Sequence, residues 1–142
     1  MHSKVQDGAV TDVIDDQTTY SIAEAAERLG LTADTLRYYE RDGLMLVAPS
    51  RASSGHRRYT DDDLSWITML TRLRRTGMPI RIVRAYADLC RQSDGNEAAR
   101  LELLYAHRDR VLTELATVTE HLGAINHKIG LYEGQLSFQA RS

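Results

Sequence analysis

The stretch Ser21–Gly43, SIAEAAERLGLTADTLRYYERDG, carries two helix starts and two helix stops in close succession. Ser21 followed by Glu24 forms a capping box: the serine hydroxyl accepts from the glutamate amide, and the glutamate side chain accepts from the serine amide. Ile22, Ala25, Ala26 and Leu29 then recur at helical spacing, and Gly30 supplies the left-handed residue that ends a helix. Only Leu31 separates this glycine from Thr32, a second N-cap, whose helix runs to about Asp42 before Gly43 stops it. Two short helices joined by so tight a turn make a helix-turn-helix. With Leu36 facing the core, a rotation of about 100° per residue puts Asp34, Arg37, Tyr38 and Arg41 on the opposite face, the one a major groove would meet.

The pattern changes on either side of this pair. Between Leu44 and Tyr59 the segments Leu46-Val47 and Arg57-Arg58-Tyr59 read as two strands of a small wing, with the turn residues Pro49 to Gly55 between them. Thr60 then caps a third helix whose first turn holds Asp61, Asp62 and Asp63 against the positive end of the helix dipole. Three adjacent carboxylates splay around a helix rather than converge, which suits a solvated helix start and not a metal site. Leu64, Ile67, Leu70 and Leu73 form that helix's apolar stripe, Gly77 ends it, and Pro79 opens a fourth helix reaching about Gln92. Ser93-Asp94-Gly95 reads as a hinge.

From the hinge to Gln135 no proline intervenes. Steps of three and four residues from Leu101 give Leu104, Arg108, Val111, Leu115, Val118, Leu122, Ile125, Ile129, Tyr132 and Leu136, an apolar heptad seam broken only by Arg108. Five heptads rise roughly 50 Å, more than a head of about 70 residues can cover along one face. The seam therefore predicts a homodimer through a coiled coil, with Arg108 as a register residue paired to an acidic group of the partner. Helix direction is not fixed by the pattern. His107, His121 and His127 are spaced too widely to converge as ligands and read as surface residues.

The formal net charge of −2 hides an asymmetry. Residues 20–92 carry 12 arginines against 9 carboxylates, a balance of +3, whereas residues 1–19 contribute −3 and residues 93–142 contribute −2. Positive charge is thus concentrated where the helix-turn-helix and wing lie, as binding to phosphates requires. Residues 1–19 read as a disordered acidic leader without the apolar run of a signal sequence, and no later stretch is apolar enough to span a membrane. A single cysteine, Cys90, permits no intrachain disulfide and no paired-thiol metal or redox site, in keeping with a cytoplasmic protein without cofactor. The division expected is a leader (1–19), a winged helix-turn-helix domain (20–92), a dimerisation helix (96–136) and a short tail (137–142), mainly α overall.

Tyr20-Ser21-Ile22, Leu31-Thr32-Ala33-Asp34-Thr35-Leu36-Arg37-Tyr38-Tyr39-Glu40-Arg41, Gly43-Leu44, Gly55-His56-Arg57-Arg58-Tyr59-Thr60 and Leu73-Arg74-Arg75-Thr76-Gly77 together resemble the signature of MerR-type regulators. The resemblance covers about residues 20–92 closely and the long helix in kind. It implies a winged helix-turn-helix, an antiparallel coiled-coil dimer, and recognition of an imperfect palindrome in double-stranded promoter DNA whose −35 and −10 elements are too far apart. Regulators of this kind bend and untwist the spacer so that RNA polymerase engages both elements. The sequence departs from the family pattern where a proline usually follows the Gly-Leu turn, since here it is delayed to Pro49.

The DNA-contact set read from the sequence is Thr32, Thr35, Arg37, Tyr38 and Tyr39 on the recognition helix and Arg51, His56, Arg57 and Arg58 in the wing. Arginine forks fit guanine edges and phosphates, and tyrosine hydroxyls can donate to backbone oxygens; Tyr39 lies nearer the core face, where packing is the competing role. The terminal cysteines of metal-sensing members are absent, and the six residues after the seam leave no room for a multidrug-binding domain. Ala85-Tyr86-Ala87-Asp88-Leu89 and Tyr132-Glu133-Gly134-Gln135-Leu136 resemble the short aldehyde- or electrophile-responsive subgroup, although Arg72 stands where that subgroup has its helix-three cysteine. Cys90 is the remaining candidate thiol sensor, and a small core residue is the simpler reading. A small-molecule inducer fits the resemblance, but the sequence does not identify one. The competing reading of the whole chain is a coiled-coil adaptor independent of DNA, its arginines merely solubilising the head. No Ser/His/Asp set, metal motif or phosphate-binding glycine loop points to an enzyme.

Overall fold

The computed structural model describes residues 18–47, 49–92 and 95–141. Two units make up the chain, Met1–Glu97 and Ala98–Ser142.

In the first unit the two short helices form as their caps dictate. Helix α1 spans Ile22–Leu29, with Ser21 Oγ accepting from the Glu24 amide at 3.1 Å and the Ser21 amide donating to Glu24 Oε1 at 2.8 Å. Gly30 closes it at φ 69°, a conformation that costs glycine little. Helix α2 spans Ala33–Arg41, capped by Thr32 Oγ1, which accepts from the Thr35 amide at 3.1 Å. Ala25 and Ala26 of α1 and Leu36 and Tyr39 of α2 are buried where these helices pack together.

Three short strands follow the order β1-β3-β2: β1 Thr19–Tyr20, β2 Ser50–Arg51 and β3 Arg57–Thr60, all antiparallel. Two expectations are corrected here. The first wing strand lies at Ser50–Arg51, not at Leu46-Val47. The turn explains the shift: the Gly55 amide donates to the Ala52 carbonyl and the Ala52 amide to the His56 carbonyl, both at 2.8 Å. That tight turn pairs Arg51 with Arg57 and Ser50 with Arg58, leaving Leu46 and Val47 beyond the ladder and exposed. The second correction is β1, a strand that starts at Thr19, the last residue of the segment read as leader, and continues into Tyr20. Thr19 and Tyr20 pair with Thr60 and Tyr59, the Tyr20 hydroxyl donates to Asp61 at 2.9 Å, and the Arg28 guanidinium lies 4.4 Å from the Tyr20 ring centre. The rest of that leader, up to residue 17, lies outside the described residues.

Helix α3, Asp61–Arg75, starts with a second capping box between Thr60 and Asp63 and buries Ile67, Leu70 and Leu73. Pro79 sits at the N-cap of α4, Ile80–Arg91, one position earlier than expected, and Val83 and Ala87 point into the core with Met78. The two helices grip the segment that leaves α2. Trp66 of α3 stacks on Tyr86 of α4, and its indole donates to the Leu44 carbonyl at 2.8 Å. Arg91 donates to the carbonyls of Gly43 and Met45, at 2.6 and 2.7 Å, while Arg84 pairs with Asp42 at the C-cap of α2. The hinge residues Ser93 and Asp94 lie outside the described residues.

The described residues of the second unit all lie in one helix, α5, Glu97–Arg141 with 45 residues, which runs through the stretch expected to be a tail because nothing in Ser137–Arg141 breaks a helix. His107 departs from the surface reading: it is buried, on the face it shares with the half-buried Leu104 and Val111. Burial first, and then the nearby Arg110 charge, push its imidazole below the ordinary histidine value.

Leu70→Ala should cost about 2 to 5 kcal/mol, because the site is closed on all sides and the void is not refilled. Thr60→Ala should cost about 1 kcal/mol through loss of the cap; urea unfolding at pH 7 measures both. The Arg84 hydrogen bond, followed by its charge, holds the Asp42 carboxyl below its ordinary value. A lowered folded value contributes stability above the unfolded aspartate pKa of about 3.9 and loses it as pH falls through the folded value. Asp42→Asn should therefore melt below the parent at pH 7, and the two melting curves should converge on acidification below about pH 3.9.

Candidate nucleic-acid interface

The face of α2 turned away from Leu36 carries Arg37, exposed and joined to Asp34 by an ion pair of 2.7 Å. Asp34 is almost fully solvated, so this pair contributes about 0 to 1 kcal/mol and releases Arg37 to a better partner at little cost. Tyr38 is half-buried beside Arg41, whose guanidinium lies 5.9 Å from the ring centre. Tyr39 is the one buried side chain of the contact set, at 6% exposure, so its ring belongs to the core. Thr32 and Thr35 join hydroxyls at 3.0 Å at the start of α2, next to amides that carry the positive end of its dipole.

The wing brings the remaining basic side chains to the same place. Arg37, Arg51, His56, Arg57 and Arg58 line one open cleft of about 390 Å³, together with Ser21 and Ile22 at the start of α1. Gly55, at φ 88°, allows the turn that folds Arg51 and His56 back toward it, and the Ser54 hydroxyl sits 2.9 Å from His56 Nδ1. Four guanidinium groups and a helix start around one opening make a site for anionic oxygens. Thr32, Thr35, Tyr38 and Tyr39 are not among the residues lining it.

Two partners of the wing arginines were not legible in the sequence. Glu40 of α2 receives Arg57 Nε on one carboxylate oxygen and Arg51 Nη2 on the other, the latter at 3.4 Å. Arg58 donates to the Thr19 hydroxyl and carbonyl, at 3.0 and 3.1 Å, which secures β1. The only signal for either was a lone carboxylate or hydroxyl far from its arginine in the chain, and nothing local distinguishes these from their neighbours. Tyr59 is buried behind β3, and burial first, then the Glu40 charge, push its hydroxyl up.

Cys90 is half-buried on α4 and is not part of the cleft lining. Among the described residues no group of three His, Cys, Asp or Glu side chains is arranged to hold a metal ion, and no helix is long and apolar enough to cross a membrane.

The first unit matches the family model of the MerR HTH regulatory proteins over residues 20–89. An HTH-type transcriptional regulator of Haemophilus influenzae is 34% identical over 115 residues, spanning 81% of this chain and 84% of that protein. The HTH-type transcriptional regulator AdhR of Bacillus subtilis is 38% identical over 92 residues, 65% of each chain. The crystal structure of HiNmlR, a MerR family regulator lacking the sensor domain and bound to promoter DNA, aligns with a TM-score of 0.75 at 34% identity, covering 82% of this chain and 91% of that one. The helix-turn-helix, the arginine-bearing wing and the long helix after them therefore place this chain in the MerR family of HTH transcriptional regulators.

Proposed function

We propose that the chain is a cytoplasmic, homodimeric regulator that binds a palindromic element of promoter DNA and controls transcription by bending and untwisting the spacer for RNA polymerase. The observation that carries the DNA-binding part is the cleft in which Arg37 from the recognition helix meets Arg51, His56, Arg57 and Arg58 from the wing. A helix in the major groove with a wing beside it puts such a cluster against the phosphates that flank the bases being read. The promoter DNA held by HiNmlR supports the same reading. Arg37 and Tyr38, with Thr32 and Thr35 at the start of α2, are the residues we assign to the groove, and Tyr39 is assigned to packing.

Dimerisation is supported by the face α5 leaves open. Leu115, Val118, Leu122, Ile125 and Ile129 are each about half exposed and recur at heptad spacing, continuing from Leu104 and Val111. A stripe that long is stable in water only when covered, and a second α5 presents the same stripe. Arg108 stacks over Tyr105 at 4.9 Å within this helix and keeps its charge available to an acidic residue of the partner. Two recognition helices fixed at one separation would then read two half-sites, and a deformed spacer between them follows if the operator's spacing differs from theirs. A DNA-independent adaptor role gains nothing from the arginine cleft.

Arg37→Ala should weaken binding to the promoter duplex by about 1 to 3 kcal/mol while leaving the dimer folded. Gel-shift titration beside circular dichroism checks this, and unchanged affinity would remove Arg37 from the interface. Leu115→Asp places a charge in the seam and should give monomers in sedimentation velocity, with loss of promoter binding at concentrations that saturate the parent. A variant that still sediments as a dimer would show that the seam is elsewhere.

A further inference from the structure

We propose that Glu40 is a positioning residue that divides the wing arginines by role, keeping Arg57 as a fixed strut and lending Arg51 to a DNA phosphate. The proposal rests on the DNA-binding reading above and assigns separate parts to side chains that the sequence presents as one basic cluster.

The two arginines meet the same carboxylate on unequal terms. Arg57 is about three-quarters buried, its Nε is bonded to Glu40 Oε1, and Glu40 itself is only 18% exposed. Breaking that pair would leave a partly desolvated charge on each side, which is costly. Arg51 is 47% exposed and reaches Glu40 Oε2 at 3.4 Å, at the long limit of a hydrogen bond, while its other nitrogen donates to the Gly55 carbonyl at 3.0 Å. A solvated pair of that length holds its arginine weakly. A phosphate entering the cleft therefore competes successfully for Arg51 and not for Arg57.

Electrostatics lead to the same division. A carboxylate on a helix turned toward DNA repels phosphate unless a cation cancels it, and Arg57 is the cation that stays. Paired with Glu40, Arg57 adds no net charge to the interface and releases no counterion, whereas Arg51 on a phosphate does. Because Glu40 lies one turn from Arg37 on α2 and Arg57 lies on β3, their bond also ties the recognition helix to the wing. Glu40 thus sets where the wing stands while withholding one of its charges.

The test compares the parent with Arg51→Ala, Glu40→Gln and the double variant Arg57→Ala with Glu40→Gln by fluorescence anisotropy, on a promoter duplex and an unrelated duplex of equal length, across a salt titration. Each phosphate neutralised contributes about 0.9 to the slope of log affinity against log salt. Arg51→Ala should flatten the slope by about 0.9. Arg57→Ala, made together with Glu40→Gln so that no bare carboxylate is left beside Arg51, should leave the slope at the parent value and lower the ratio of promoter to unrelated binding. Glu40→Gln keeps the size of the side chain but frees Arg57, so it should steepen the slope by about 0.9, tighten binding to the unrelated duplex and lower the same ratio. If the double variant melts below the assay temperature, Arg57→Lys takes its place, keeping a charge without the planar fork; it should also lower the ratio. Equal flattening by Arg51→Ala and the double variant, or no response of slope and ratio to Glu40→Gln, would overturn the division. A parent that shows no salt-dependent binding to any duplex would remove the DNA-binding reading itself, and this proposal with it.

Discussion

Burial of Leu36 and Tyr39 in the core of the first unit fixes the rotation of α2 about its axis, and every function ascribed to the arginine face follows from that rotation. A helix has only one orientation in which both side chains leave water, and in that orientation Arg37 is exposed. The ends of α2 are held as firmly as its middle. Thr32 caps the start, and at the other end Arg84 pairs with Asp42 while Arg91 and Trp66 take up the carbonyls of the three residues after it. These carbonyls would otherwise be unsatisfied where the chain turns over the core. The recognition helix is thus clamped by α3 and α4, and its position is a property of the whole first unit.

The wing is joined to this frame by ion pairs and short ladders. Its strands are two to four residues long, too short to be stable alone, and they persist because β3 is anchored between the buried Tyr59 and the β1 pairing. Glu40 adds a bond from wing to helix. The consequence for chemistry is that four arginines and His56, from parts of the chain up to 21 residues apart, line one opening. Preorganised charge of this kind lowers the entropy lost on binding.

The helices were legible in the sequence because their signals are local. Ser21 with Glu24, Thr32 with Thr35, and Thr60 with Asp63 each declare a start within four residues, and Gly30, Gly43 and Gly77 each mark a stop. The strands were read less well because pairing depends on residues distant in the chain. Thr19 looks like the end of a polar leader until Thr60 is placed beside it, and Leu46-Val47 has the composition of a strand but lies off the register set by the Ala52–Gly55 turn. The same distinction governs the site. Arginines clustered in the chain announced a basic surface, whereas the carboxylate that apportions them, Glu40, is 17 residues from Arg57 and is recognisable only in three dimensions. His107 is polar by type, but its helical neighbours Leu104 and Val111 belong to the apolar seam, a signal that its residue type masked.

The long helix turns a single reading head into a regulator only if it sets two heads at one distance. Its apolar stripe is open along the described residues from Leu115 to Leu136, which is the property an isolated chain would not keep in water. Hydroxyl-radical footprinting on promoter DNA, with the mass of the same complex measured by native mass spectrometry, tests this most directly. We predict two chains per duplex and two protected half-sites on one face of the DNA, symmetric about the operator centre. One chain protecting a single half-site would contradict the account.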